Sequence, residues 1–139
     1  MEYKKFGKTI VARIDLSEEI VESVKKIALA ENIKLAMVNA LGAVNRFEVG
    51  VYNVSEKVYH KKVYEGAYEI VSLHGSINTM NGELYTHLHL SAGSVDGNVV
   101  GGHLYSGIIG GTCEMFIDIV DGMVDRIKDE KIGLNIFKF

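Results

Sequence analysis

The 139-residue chain contains no proline and no tryptophan, and its only cysteine is Cys113. A single cysteine cannot form an internal disulfide, and it excludes the cysteine clusters that hold many structural zinc ions. Any metal site in this chain must therefore use histidine, aspartate or glutamate. One unpaired cysteine is also typical of a reducing compartment, so we expect a cytoplasmic protein in which Cys113 is a small buried residue.

Long apolar runs and an excess of basic residues are missing as well. No run approaches the roughly 18 apolar residues that a membrane span needs, and the first residues lack the apolar segment of a signal peptide. We therefore expect no membrane partner. The formal net charge is −3, so the chain has no general electrostatic attraction to the phosphates of nucleic acid.

One helix is predicted between residues 17 and 32, in the segment SEEIVESVKKIALAEN. Apolar side chains recur there at spacings of three and four residues, with charged residues between them, as in a helix that packs one face on a core. Asp15 and Glu18 have the spacing of a capping pair at the start of such a helix.

The rest of the chain is predicted to form about seven to nine strands, because segments rich in β-branched and aromatic residues alternate with turn signals. One helix among so many strands favours an α+β fold, mainly antiparallel, with the helix packed on one sheet face. We expect a single domain, residues 1–139, and leave the strand order open. The turn signals include Leu41-Gly42, Asn81-Gly82, Asp96-Gly97 and Asp121-Gly122.

Three of the five histidines lie around one of these turns, in ELYTHLHLSAGSVDGNVVGGHL. Side chains alternate along a strand, so His87 and His89 share a face with Tyr85, while Leu88 and Leu90 point to the opposite, core-facing side. Two adjacent same-face histidines are a weak signal for a metal site when they stand alone.

The turn decides whether His103 joins the pair, because a slip of one residue moves a side chain to the other face. A two-residue loop at Asp96-Gly97 would place His103 opposite Leu90. A three-residue loop, with Gly97 in the left-handed conformation, would place His103 opposite His89. We favour the three-residue loop, because it uses glycine where a positive φ is needed and avoids an imidazole against leucine.

With that loop, the imidazoles of His87, His89 and His103 converge on one point. Three neutral imidazoles with an open fourth position are typical of catalytic zinc, although other divalent metals also accept such ligands. Gly101 and Gly102 would leave room for a ligand or for the backbone of another chain. In the next strand segment Glu114 is a candidate catalytic residue, either accepting a hydrogen bond from an imidazole or acting as a general base.

The segments YEIVSLHGSI, HLHLS, DGNVVGGHLYSG and TCEMFI resemble the plants-and-prokaryotes conserved (PPC) domain family, whose hallmark is a His-x-His strand followed by GGHL and a later glutamate. The resemblance extends from Gly42 to Ile119. It implies a curved antiparallel sheet with one main helix, a fold similar to that of acetolactate decarboxylase, and assembly as a homotrimer. It also implies a site near the subunit interface at His87, His89 and His103, occupied by zinc in some prokaryotic members.

The family is also described as DNA-binding, because its plant members join this domain to AT-hooks. An AT-hook places arginines in the minor groove from an Arg-Gly-Arg-Pro-like core, and this chain has neither proline nor a basic arm. His74 is a second departure, since the family more often has a small residue there; we interpret it as a hydrogen-bonded histidine. Two hypotheses follow: a trimeric zinc protein whose enzymatic activity is undecided, or a DNA-binding or regulatory interaction module.

Overall fold

The computed structural model describes every residue from Met1 to Phe139. Its strand pairs are antiparallel, and it has one helix, so the predicted mainly antiparallel α+β fold is confirmed. No helix has the length and apolar character needed to cross a membrane. The elements are β1 (Glu2–Phe6), β2 (Thr9–Ile14), α1 (Ile20–Ala30), β3 (Ala36–Asn53), β4 (Val58–Met80), β5 (Glu83–Ser94), β6 (Val99–Ile119), β7 (Asp125–Lys128) and β8 (Asn135–Lys138).

The helix α1 buries the apolar stripe that its sequence predicts, with Ile20, Val24 and Ile27 fully enclosed. It begins later than predicted, because Ser17 has a φ of 68° and turns the chain before the first helical residue. Asp15 and Glu18 do form a backbone-to-carboxylate hydrogen bond of 2.8 Å, but they close this turn. The N-cap of the helix is Glu19, whose carboxylate accepts from the backbone N–H of the first turn.

Three strands are longer than the sequence predicts, because some predicted breaks are bulges within one strand. The Leu41-Gly42 signal lies inside β3, where the pairing register shifts between Ala40 and Gly42. Gly42 has a φ of 147°, and a Cβ at this position would overlap the backbone of Thr112 on β6. The bulge therefore bends β3 while it keeps partners on both edges.

The long strands close into a ring, since β3 pairs with β4, β4 with β5, β5 with β6, and β6 again with β3. The inside of the ring and the helix form the apolar core, to which Leu88, Leu90 and Phe47 belong. β1 and β2 extend the sheet from β6, and β7 and β8 form a separate hairpin. The ring closes at His103, which pairs with His89 of β5 and with Gly50 of β3.

Candidate metal centre

The turn between β5 and β6 is the predicted three-residue loop. The Ser94 N–H donates to the Asn98 carbonyl at 2.9 Å, and Gly97 has a φ of 78°. His89 therefore lies directly opposite His103. The prediction that these two side chains share a face is confirmed.

The structure brings the side chains of His87, His89 and His103 into one cluster. One nitrogen from each ring can be chosen so that all three lie within 4.8 Å of one another. Nε2 of His87 is 3.2 Å from Nε2 of His89, and the centroid of the His103 ring lies 5.1 Å from that of His87 and 5.6 Å from that of His89.

Burial favours the neutral form of two of these histidines, His87 and His103. The pKa of His87 falls from its ordinary 6.5 to about 4, mainly because the ring is buried and secondly because His103 lies beside it. The pKa of His103 is lowered for similar reasons, first by burial and then by the neighbouring His89. His87 is therefore neutral at pH 7, the state in which an imidazole nitrogen has a lone pair for a metal.

The donor set fits a divalent metal ion. Neutral imidazole is a common ligand of zinc and related ions, and three of them leave room for a further ligand. Nδ1 of His103 is buried and has no hydrogen-bond partner in the protein. A buried polar atom without a partner is costly, so the cluster as it stands is incomplete.

The adjoining glycines have a role different from the predicted one. A Cβ on Gly101 would overlap the backbone of β5 at Leu90, and a Cβ on Gly102 would lie 2.6 Å from the Gly50 carbonyl of β3. Both glycines therefore allow β6 to fit between two neighbouring strands of the same chain. They bring His103 into place by close strand packing rather than by leaving space for a ligand.

Tyrosines form the walls of the cavity that contains the histidines. Tyr59 and Tyr105 have ring centroids 5.3 and 5.0 Å from that of His103, and Tyr52 and Tyr85 complete the aromatic lining of a cavity of about 650 Å³. Burial raises the pKa of both Tyr59 and Tyr105, so their hydroxyl groups keep their protons. Tyr85 shares a strand face with His87, and Tyr105 lies two residues after His103 on β6. Strand alternation could therefore have indicated Tyr105 as well as Tyr85, whereas Tyr52 and Tyr59 come from other strands.

Arg126, on β7, is the site residue that sequence reasoning missed. It is 6% exposed, it lines the same cavity, and one of its terminal nitrogens lies 3.3 Å from Nδ1 of His87. Burial lowers its pKa below the usual value for arginine. No local pattern could have found it, because the β7–β8 hairpin reaches the histidines only through the tertiary fold.

Glu114 does not join the histidines within one chain, so its predicted role at them stays a prediction. It pairs with Leu41 on β3, whereas His103 pairs with Gly50. These two partners lie about 30 Å apart along β3, at roughly 3.3 Å per residue. Glu114 is exposed and faces a separate surface cavity, so the role of base or acceptor at the histidines is not available to it there.

His74 lines that second cavity, which has a volume of about 210 Å³. It pairs with His89 across β4 and β5, yet its Nδ1 is hydrogen-bonded to the side-chain oxygen of Asn39 on β3. The interpretation of His74 as a hydrogen-bonded histidine is confirmed. It lies within β4 and not in a turn.

An antiparallel ring with one helix and a cluster of three histidines defines the chain as an α+β protein with a candidate metal centre. The chain belongs to the plants-and-prokaryotes conserved family, because the sequence pattern named "Plants and Prokaryotes Conserved (PCC) domain" matches residues 1–121. The predicted family is therefore confirmed. No curated protein matches the chain in sequence.

Two solved structures are similar over nearly their whole length. A Bacteroides thetaiotaomicron protein, named as a candidate DNA-binding protein, is 30% identical with a TM-score of 0.96 and covers 99% of this chain and 96% of its own. A protein from Archaeoglobus fulgidus, named as metal-containing, is 30% identical with a TM-score of 0.90 over 100% of this chain and 99% of its own.

Acetolactate decarboxylase from Bacillus subtilis subspecies spizizenii shares the fold more distantly. It has a TM-score of 0.61 at 16% identity, over 84% of this chain and 54% of that chain. At this identity the likeness concerns the fold alone, and it agrees with the predicted resemblance to that enzyme's architecture.

Proposed function

We propose that this protein is a homotrimeric metal-binding protein in which His87, His89 and His103 hold one zinc ion per chain. The observation that carries the proposal is the convergence of three imidazole nitrogens within 4.8 Å. Support also comes from the neutral state of His87 at pH 7 and from the metal-containing relative in Archaeoglobus fulgidus. The reduced, buried Cys113 is in keeping with a cytoplasmic location.

When bound, such a metal supplies a Lewis acid that polarises an oxygen of a ligand or substrate. The chain's own residues provide the surroundings for this chemistry. Tyr59 and Tyr105 limit access of water to His103, and their hydroxyl groups are available as hydrogen-bond donors. The cavity is open enough to admit a small molecule, so the site suits binding or catalysis rather than a purely structural ion.

Elemental analysis of untagged protein, purified without chelator, tests the metal site. We expect about one zinc per chain in the native protein and none in His103→Ala, since two imidazoles hold zinc weakly. His60→Ala is the matched control, because His60 is exposed and bonded to Glu56. A zinc content that is unchanged in His103→Ala, or the absence of any metal even after reconstitution, would contradict the proposal.

The trimer is proposed from the family resemblance and from an exposed apolar patch on the outer sheet surface. Leu41, Val71 and Phe116 line the cavity beside Glu114, and all three are about half exposed or more. We expect Phe116→Asp to convert the trimer to monomer in light-scattering chromatography. Val58→Asp, an equally exposed apolar position elsewhere, should leave the trimer intact. A monomeric native protein would refute this part of the proposal.

DNA binding, which the name of the Bacteroides thetaiotaomicron relative suggests, is the second candidate function. The net charge of −3 argues against it, because duplex binding depends on neutralising phosphates with lysine and arginine. We expect no mobility shift of random-sequence duplex even at low salt. A shift that weakens steeply as salt increases would establish this alternative.

A further inference from the structure

We propose that Arg126 and His87 form a binding site for a small organic carboxylate beside the three histidines. The inference deepens the proposed function and rests on it, because the carboxylate would occupy the cavity of the metal centre. The proposal rests on the surroundings of Arg126. Its positive charge lies in a cavity that no acidic side chain lines.

The guanidinium of Arg126 is held rigidly. Its carbon lies 4.8 Å from the ring centroid of Tyr85 and 4.5 Å from that of Phe137, so the planar group packs against two aromatic rings. One terminal nitrogen donates to the Asn135 carbonyl at 2.6 Å. The other terminal nitrogen points to His87, and Nε is buried without any partner.

No acidic side chain compensates this buried charge. The residues that line the cavity are glycines, tyrosines, aliphatic residues, the three histidines, Asn135 and Arg126. Asp125, the neighbour of Arg126 in sequence, instead accepts a hydrogen bond of 2.9 Å from Thr79. Buried charges in proteins are normally paired, so an unpaired guanidinium that faces a cavity indicates an anionic ligand.

The contact with His87 points to the same ligand. An arginine can only donate, so in the metal-free protein Nδ1 of His87 accepts and the proton is on Nε2. Nε2 of His87 lies 3.2 Å from Nε2 of His89, and a metal held there would leave Nδ1 as the nitrogen that carries the proton. Arg126 and His87 would then present two neighbouring donors, and an anionic oxygen beside the pair could accept from both.

A carboxylate fits better than a phosphate. The one charge of Arg126 balances a monoanion, and a carboxylate oxygen can accept from its terminal nitrogen on the His87 side. No lysine lines the cavity to balance a dianion. The four tyrosines offer apolar faces for the carbon skeleton, and a cavity of about 650 Å³ accommodates a small organic acid.

Calorimetric titration with benzoate tests the site, with benzamide as an uncharged ligand of the same shape. Both are titrated into metal-free and zinc-loaded native protein, into Arg126→Gln, and into Arg46→Gln. Arg46 is a suitable control, since it is exposed and already paired with Glu65. Inorganic phosphate, titrated separately, serves as the alternative anion. Circular dichroism establishes that each variant is folded.

We expect benzoate to bind native protein at least about ten-fold more tightly than benzamide or phosphate, because hydrogen bonds to a buried charge discriminate by this amount or more. Arg126→Gln should lose that preference and keep its zinc, whereas Arg46→Gln should behave as native. Zinc loading should strengthen benzoate binding to the native protein.

The results separate the two proposals. Zinc binding without a preference for benzoate over benzamide would overturn the carboxylate site and leave the metal site standing. A benzoate preference retained in folded Arg126→Gln would overturn it as well. A preference that depends on Arg126 in a protein that never binds zinc would support the carboxylate site and refute the metal centre. If Arg126→Gln fails to fold, the comparison of the three ligands on native protein decides.

Discussion

The two ends of β6 carry similar residues in opposite circumstances. Near its start, His103 meets two other histidines in a walled cavity, and buried nitrogen atoms lack partners. Near its end, Glu114 is exposed on an open surface, and the adjacent His74 already has Asn39 as a partner. Residue type alone does not make a site. Polar side chains that converge, lose solvent and stay unpaired are available to a ligand, whereas those that satisfy one another are not.

The comparison is sharpest for Cys113, the inward-facing neighbour of Glu114. Burial raises the pKa of its thiol to about 12. At pH 8 the reactive thiolate is therefore about a thousand-fold scarcer than in a free cysteine. We expect negligible reaction with a disulfide reagent such as dithiobis(nitrobenzoate) in the folded protein and full reaction in guanidinium. Rapid labelling of the folded protein would show that this end of β6 is chemically accessible after all.

The second-largest difference between the two ends of β6 should be in how histidine substitutions change the affinity for zinc. We expect His87→Ala to weaken zinc binding by more than about 100-fold, since even the partners of metal ligands are worth 10- to 100-fold. His74→Ala should change the affinity by less than about three-fold, because His74 is bonded to Asn39 and is not part of the cluster. Competition with a chromogenic chelator measures both. Equal losses in the two variants would show that His74 belongs to the metal centre.

Asn39→Ala removes the partner of His74 and should act on stability only. We expect a loss of about 0.5 to 1 kcal/mol in the free energy of unfolding, the usual value of one neutral hydrogen bond. Zinc affinity should stay at the native level. Urea unfolding and the chelator assay together check this, and a parallel fall in both quantities would connect the two cavities.

Glu114→Gln should have the smallest effect. The side chain is exposed and takes part in no hydrogen bond or ion pair of the structure, so we expect a change of less than about 0.5 kcal/mol in unfolding free energy. Zinc content and benzoate affinity should match those of the native protein. A loss of zinc in this variant would mean that Glu114 reaches the histidines of a neighbouring subunit.

The sequence predicts those parts of this site that depend on local geometry. Strand alternation places His87 beside His89, and the preference of Gly97 for a positive φ sets the loop that brings His103 opposite. The core-facing helix follows from its periodicity in the same way. These features need only neighbouring residues, so a single sequence carries enough information for them.

The remaining parts depend on contacts between distant segments. Arg126 and Tyr59 come from β7 and β4, and no spacing in the sequence relates them to the histidines. The Leu41-Gly42 signal predicts a turn, whereas β3 continues because it has partners on both edges. Glu114 follows GGHL closely in sequence, but an unbroken β6 carries it far from His103. Tertiary pairing decided each of these outcomes.

The closure of the ring at His103 bears on the order in which the protein folds. All three histidines belong to one hairpin, whose contacts are short in sequence and form early. Tyr52, Tyr59 and Arg126 complete the cavity only after β3, β4 and the C-terminal hairpin dock, which requires slow, long-range pairing. We therefore expect a nascent chain to be able to gather its metal ligands before the cavity exists. An ion bound at that stage would stabilise the β5–β6 hairpin, and the other strands of the ring would then pair with a hairpin that is already formed.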